Sequence, residues 1–251
     1  AGADVRREGD VLHFQPCTLS IPSEPTLPVE PELAVFLMGL APALGGEVRL
    51  EGQWPTWPGT EAGLDLLRQT GAKVECSATE ILARRLKPLA ELPAAFALPE
   101  GLPASWRPLA VALSAMTALR GGRAVLPAGL EAEENVVESY LHAAGLALDA
   151  EGCLVAWKPG DDMEEAEEQD EEGRPVRKPR PALQARGWNA PDAPWAVALA
   201  LAACARGKQE GFKLGNPGVL TELYPPFWVL YNNLPEPHMT RENKEVPAQP
   251  V

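Results

Sequence analysis

The sequence predicts an α/β protein, because one unit of apolar helix, glycine stop, short strand, second helix and second strand recurs three times. The closing glycines of the three first helices are Gly46, Gly122 and Gly207, about 80 residues apart. Those helices read PELAVFLMGLAPAL, RPLAVALSAMTALR and APWAVALALAACAR. Repetition at this spacing indicates one supersecondary unit packed three times around a shared core.

The first copy begins after a proline-rich stretch, IPSEPTLPVEP. Pro31 suits the first turn of a helix, and the segment that follows is apolar on nearly every side, which predicts a helix buried from several directions. Gly45 and Gly46 end it, and residues 47–50 alternate between polar and apolar as a strand does. Thr60 is the predicted N-cap of the next helix.

The second and third copies follow the same order. Residues 109–119 form a helix too apolar for the surface, and 123–126 form a strand. Acidic residues, including Glu133 and Glu134, crowd the first turn of the next helix, where they suit the positive end of its dipole. The third copy continues from APWAVALALAACAR to TELYPPFWVLYNNL.

The predicted organisation has three parts. Residues 1–30 are the end of a preceding unit and a crossover, 31–235 are the repeated domain, and 236–251 are a flexible tail. An acidic block followed by a basic block, at about 160–182, predicts a solvated and disordered loop. Because the opening sequence reads as the end of a helix followed by a strand, we expect the chain to be a fragment of a longer protein.

Charge and composition exclude several classes of function. A net charge of −13 repels nucleic acid and anionic membranes, and no apolar run reaches the length of a membrane span. The four cysteines are widely spaced and lack a CxxC pair, which predicts reduced thiols in a cytoplasmic protein. No dinucleotide or P-loop motif occurs, so neither a cofactor nor a metal is expected.

Six segments, in order, resemble the motifs of the enolpyruvyl transferase family, specifically the C-terminal half of EPSP synthase (3-phosphoshikimate 1-carboxyvinyltransferase). VEPELAVFLMGLAPAL corresponds to the family's VPGDxS helix, and WPTWPG to its NPTR motif. RPLAVALSAM corresponds to its LAVAA segment, LEAEENVV to LRVKESDR, NAPDAPW to DHRxAM, and ELYPPF to K-[ST]-YPxF. The resemblance runs from about residue 2 to residue 234.

This resemblance implies a fold and a reaction. The implied fold is an inside-out α/β barrel domain of three βαβαββ repeats, with helices inward and sheets outward. The implied reaction transfers the enolpyruvyl group of phosphoenolpyruvate to shikimate 3-phosphate, in aromatic amino acid biosynthesis. These two small molecules and an N-terminal domain absent from the chain are then the implied partners.

Most residues that would bind the phosphorylated substrates are replaced. Only Glu134 and Asp192 match acids of the family motifs, so these two are the candidate catalytic residues. Acidic or neutral residues stand at the positions of family cations or of other motif residues; they are Glu30, Glu32, Trp57, Glu131, Glu133, Val137, Ala193, Pro194 and Glu222.

Other side chains could rebuild a site. Arg107 and Arg123 are the candidate substrate-binding cations, with Trp57 and Trp195 as candidate pocket walls for a less charged ligand. Three hypotheses stay open. The chain is the C-terminal part of an EPSP synthase-like enzyme, inactive by itself; it is a degenerate, non-catalytic family member that acts as a scaffold or regulatory partner; or it is a transferase with an altered substrate.

Overall fold

A computed structural model of the chain describes residues 5–15, 28–86, 102–127, 129–130, 133–156, 163–169, 175–179, 187–206, 212–234 and 239–241. It opens with a β-hairpin of β1 (Val5–Glu8) and β2 (Val11–Phe14), whose described side chains are exposed. Residues 16–27, most of the predicted crossover, lie outside the described residues. At its end, the Val29 N–H donates to the Gln53 carbonyl at 3.0 Å.

The first repeated unit contains α1 (Pro31–Met38), α2 (Leu40–Leu44), β3 (Gly46–Glu51), α3 (Glu61–Gln69), β4 (Lys73–Cys76) and β5 (Glu80–Arg85). The strands form an antiparallel sheet in the order β3-β5-β4. The sequence predicts one continuous helix where α1 and α2 are separated at Gly39. A Cβ atom at that position would lie 2.8 Å from Leu201 Cδ2, so glycine permits a close approach between helices.

The second unit contains a 3₁₀ turn (Ala104–Trp106), α4 (Arg107–Leu119), β6 (Ala124–Val125), α5 (Glu134–Ala143), β7 (Leu146–Leu148) and β8 (Cys153–Ala156). Its antiparallel sheet has the order β6-β8-β7, the same pattern as in the first unit. The third unit contains α6 (Ala193–Arg206), β11 (Phe212–Leu214), α7 (Gly218–Leu223), α8 (Phe227–Asn232) and β12 (Met239–Arg241).

The core lies along the helices α1–α2, α4 and α6. Every residue of α4 from Pro108 to Ala118 is buried, and α4 packs along α6, which also contacts α1 and α2. This burial explains why these segments are apolar on all sides. The sheets are more exposed, since β3 alternates half-buried and exposed positions. The complete inside-out arrangement of three repeats stays a prediction.

Two segments differ from the sequence prediction. The acidic segment was predicted to be a disordered loop, but β9 (Met163–Gln169) and β10 (Pro175–Pro179) pair as antiparallel strands. In the register of the two strands Glu165 is opposite Arg177 and Glu164 is opposite Lys178. Within the predicted tail, β12 pairs in parallel with β11.

The predicted N-cap of α3 is also corrected. Thr60 occupies the cap position, yet its hydroxyl makes no hydrogen bond to the helix. It donates instead to the carbonyl oxygens of Pro55, at 3.1 Å, and Trp57, at 2.9 Å. The side chain therefore fixes the loop before α3 rather than its first turn.

Candidate functional site

A cavity of about 670 Å³ lies where α1, α4, α5 and α6 begin. Its volume is within the range of small-molecule sites. The residues that line it include Glu30, Glu32, Pro108, Glu133, Asp192 and Trp195. We call this cavity the cleft.

Glu30 caps the N-terminus of α1. Its backbone is extended, and its Oε2 accepts a hydrogen bond from the Leu33 N–H at 2.6 Å. Pro31 follows as the first helical residue, where the missing N–H costs no hydrogen bond. The chain thus supplies its own carboxylate to backbone groups that attract anions in other proteins.

Asp192 has the same role at α6. Its Oδ1 accepts from the Trp195 N–H at 3.0 Å, and its backbone carbonyl accepts from the Ala196 N–H at 3.2 Å. The carboxylate is therefore an N-cap, and it neutralises the positive end of a long buried helix.

Arg107, at the first position of α4, is neutralised by Glu133. The Arg107 Nη1 to Glu133 Oε1 distance is 3.0 Å, and about a quarter of each side chain is exposed. A cation at a helix N-terminus is unfavourable beside the helix dipole, so the neighbouring carboxylate compensates it. Arg107, which the sequence nominates to bind substrate, already has an anionic partner.

The carboxyl groups of the cleft interact with one another. Partial removal from water, together with a hydrogen bond to Glu32, raises the pKa of Glu30 to about 7. Among the described residues that line the cleft, none is lysine or arginine. A phosphorylated dianion would therefore face carboxylates and would find no unpaired cation on this described wall.

An aromatic cluster supports one side of the cleft. Tyr140 lies 5.5 Å from Trp195 and 5.7 Å from Trp188, measured between ring centroids. The Tyr140 hydroxyl donates to the Ala198 carbonyl at 3.1 Å, and burial raises the pKa of this tyrosine. Trp188 Nε1 donates to Ser139 Oγ at 3.1 Å. Trp195 is thus held in place by packing as well as by the helix it begins.

The structure separates the residues that the sequence nominates. Asp192 and Trp195 line the cleft, and Arg107 bonds to a residue that lines it. Glu134 lines a different cavity, and half of Trp57 is exposed outside the described lining of the cleft. Arg123 bonds to Glu151 and, at 3.1 Å, to Cys153 Sγ, on the side of the second sheet.

Sequence reasoning did not nominate Tyr140 or Pro108. Their signal is only that of apolar core positions, which many residues of this chain share.

In the part of the chain that the structure describes, no group of three or more His, Cys, Asp or Glu side chains could hold a metal ion. Likewise, no helix among those residues is long and apolar enough to cross a membrane.

Comparison with solved structures finds the same fold in an enzyme. EPSP synthase from Acinetobacter baumannii matches 92% of this chain with a TM-score of 0.53 and 18% sequence identity. This chain spans 51% of that protein, about half its length. No protein-family model matches the sequence, and no curated protein matches it. The likeness supports an enolpyruvyl transferase fold.

Proposed function

We propose that this chain is half of an EPSP synthase-like protein whose cleft binds a neutral, polyhydroxylated small molecule in place of two phosphorylated substrates. One observation carries the proposal. Two helix N-termini at the cleft, those of α1 and α6, and the Arg107 guanidinium at the start of α4 could attract an anion, and each bonds to a carboxylate of the chain itself.

The carboxylates and the indole ring that line the cleft suit a ligand whose hydroxyl groups donate hydrogen bonds. Carboxylate oxygens accept hydrogen bonds from several hydroxyl groups at once, and an indole wall supplies an apolar face. Trp195 and Pro108 provide apolar surface beside Glu30 and Glu32. Since the pKa of Glu30 is about 7, its carboxyl group also carries a proton for part of the time at neutral pH and can donate a hydrogen bond.

The alternative is the family reaction, completed by a second half that this chain lacks. The fold likeness and the half-length coverage of EPSP synthase favour it. On that alternative the protein belongs to aromatic amino acid biosynthesis in the cytoplasm, and the missing half supplies the cations for phosphoenolpyruvate and shikimate 3-phosphate. A regulatory or scaffolding role remains compatible with either ligand.

Heat titrations of the 251-residue chain test the proposal. We expect myo-inositol, a neutral polyol used as the probe, to bind with a Kd of about 1 mM, and phosphoenolpyruvate and shikimate 3-phosphate not to bind at about 10 mM. Asp192→Asn should keep the fold and weaken inositol binding several-fold. Glu222→Gln, at an exposed position on α7 outside the cleft lining, is the matched control and should change nothing.

Two results would contradict the proposal. One is tight binding of either phosphorylated compound to the unaltered chain. The other is the absence of inositol binding combined with phosphate release from phosphoenolpyruvate and shikimate 3-phosphate once an N-terminal EPSP synthase half is added. The second result would establish the alternative.

A further inference from the structure

A second cavity, of about 570 Å³, lies between α5, the segment before it and β7. Its apolar wall consists of leucine, valine and proline side chains, among them Leu126, Leu130, Val137, Leu141 and Leu146. A mostly apolar pocket of this volume with a few polar groups has the character of a small-molecule site. It is separate from the cleft, and the inference below does not depend on the proposed function.

Three polar side chains of α5 line this cavity: Glu134, Glu138 and His142. They are spaced four residues apart, so they share one face of the helix. Glu134 is in the first turn of α5, where the helix dipole favours an acid. Glu138 is a full turn further on, where this effect has fallen off. Two carboxylates at this spacing repel each other and destabilise an isolated helix by about 0.3 kcal/mol.

No ion pair among the described residues relieves that repulsion. The ion pairs of the described part of the chain include neither Glu134 nor Glu138, whereas Glu133, the residue just before them, is paired with Arg107. Both carboxylates are exposed, while Val137, between them, and Leu141, on the next turn, are buried. An apolar pocket bordered by two unpaired anions is complementary to a ligand with one apolar part and one positive charge.

We propose that this cavity binds an organic monocation, an ammonium group attached to an aromatic or aliphatic body. The ammonium group lies between Glu134 and Glu138, and the apolar body enters the pocket against Leu130, Val137 and Leu141. The net charge of −13 raises the local concentration of such cations around the protein.

The test uses three probes of nearly the same shape: phenethylamine, phenethyl alcohol and phenylacetate, which are cationic, neutral and anionic. Binding is followed by heat titration and by the amide NMR shifts of the 251-residue chain. We expect phenethylamine to bind with a Kd near 1 mM, the alcohol to bind at least about tenfold more weakly, and phenylacetate not to bind. The shifts should concentrate in residues 126–148.

Variants locate the interaction. Glu134→Gln combined with Glu138→Gln changes two exposed side chains and should weaken phenethylamine binding about tenfold while leaving the alcohol unchanged. Ala147→Phe, on β7, should fill the cavity and abolish binding. Glu222→Gln is the control for loss of one negative charge elsewhere, and Glu30→Gln with Glu32→Gln is the control for binding in the cleft.

Three outcomes would overturn the inference: no binding of phenethylamine at about 10 mM, equal affinity for the amine and the alcohol, or shifts centred on residues 30–32 and 192–195. If Ala147→Phe fails to fold, the paired glutamine variant still decides, because its two sites are on the surface.

Discussion

The two ends of the buried helices are neutralised in opposite ways. At the N-terminal end, Glu30 and Asp192 accept hydrogen bonds from backbone N–H groups. At the C-terminal end, Arg120 Nη2 donates to the carbonyls of Ala43, at 3.0 Å, and Cys204, at 3.3 Å. Acids at one end and a cation at the other match the helix dipoles, so the chain satisfies both ends with its own side chains.

The carboxylates at the N-terminal ends of the helices make the cleft unfavourable for a bound anion. A carboxylate that caps a helix N-terminus repels a second anion there. Here α1 and α6 are capped by carboxylates, and the cation at the start of α4 is paired. Three groups at this end that could attract an anion therefore already bond to carboxylates of the chain.

The largest effect is expected at the C-terminal end. Arg120→Met removes the donor to two carbonyl groups that belong to different helices, so we expect the free energy of unfolding to fall by about 3 kcal/mol. Urea denaturation measures it. Arg123→Met is the matched control, because Arg123 is 58% exposed and pairs with an exposed glutamate, and it should cost less than about 1 kcal/mol. Equal losses of unfolding free energy in Arg120→Met and Arg123→Met would show that the hydrogen bonds of Arg120 do not stabilise the helix ends.

A smaller loss is expected at the N-terminal end. Asp192→Ala removes the cap of α6 and should lower the free energy of unfolding by about 1 kcal/mol. Asp192→Asn keeps an oxygen acceptor for the Trp195 N–H and should retain most of that stability. If both variants lose the same amount, the capping bond is not what stabilises this helix start.

The smallest effect is a dependence on pH. Because the pKa of Glu30 is raised from 4.5 to about 7 in the folded state, the folded chain holds a proton that the unfolded chain has released between these values. The contribution of Glu30 to stability is therefore present below pH 4.5 and is lost as the pH rises through 7. Glu30→Gln cannot titrate, so it should equal the unaltered chain at about pH 4.5 and exceed it by less than about 1 kcal/mol at about pH 8.

The urea midpoints of the unaltered chain and of Glu30→Gln, measured from about pH 4.5 to about pH 8, give the difference in stability at each pH. Glu32→Gln is the informative second variant. It removes the charge repulsion beside Glu30, so the stability of this variant should depend less on pH. A stability difference that does not change with pH would contradict the raised pKa.

The sequence predicts the buried helices well because their signal is local. Residues from Leu109 to Met116 are apolar apart from Ser114, and the structure buries each of them. The break at Gly39 was not predicted, and the contact that requires glycine there is with Leu201, far away in the chain, so local patterning does not reveal it. The pairing of β9 with β10 was also not predicted, because neither segment has the apolar alternation that is typical of a strand.

The sequence predicts the side chains of the candidate site only in part. Motif matching selects Glu134 as the acid at the start of α5, yet Glu133 lines the cleft and Glu134 lines the second cavity. Adjacent residues of a helix point about 100° apart, so neighbouring positions at the start of α5 face different cavities. Arg120 is one of several dispersed cations in the sequence. Its hydrogen bonds to the carbonyls of Ala43 and Cys204 form only where three helices meet.

Titration of phosphoenolpyruvate, into the unaltered chain and into the triple variant Glu30→Gln, Glu133→Gln, Asp192→Asn, tests the central claim most directly. The variant keeps the capping acceptors but removes three negative charges and releases Arg107. We expect no binding to the unaltered chain at about 10 mM and a Kd of about 1 mM for the variant. Binding of phosphoenolpyruvate to the unaltered chain, with an affinity that the variant does not increase, would contradict the claim that the chain's own carboxylates exclude anions from this cleft.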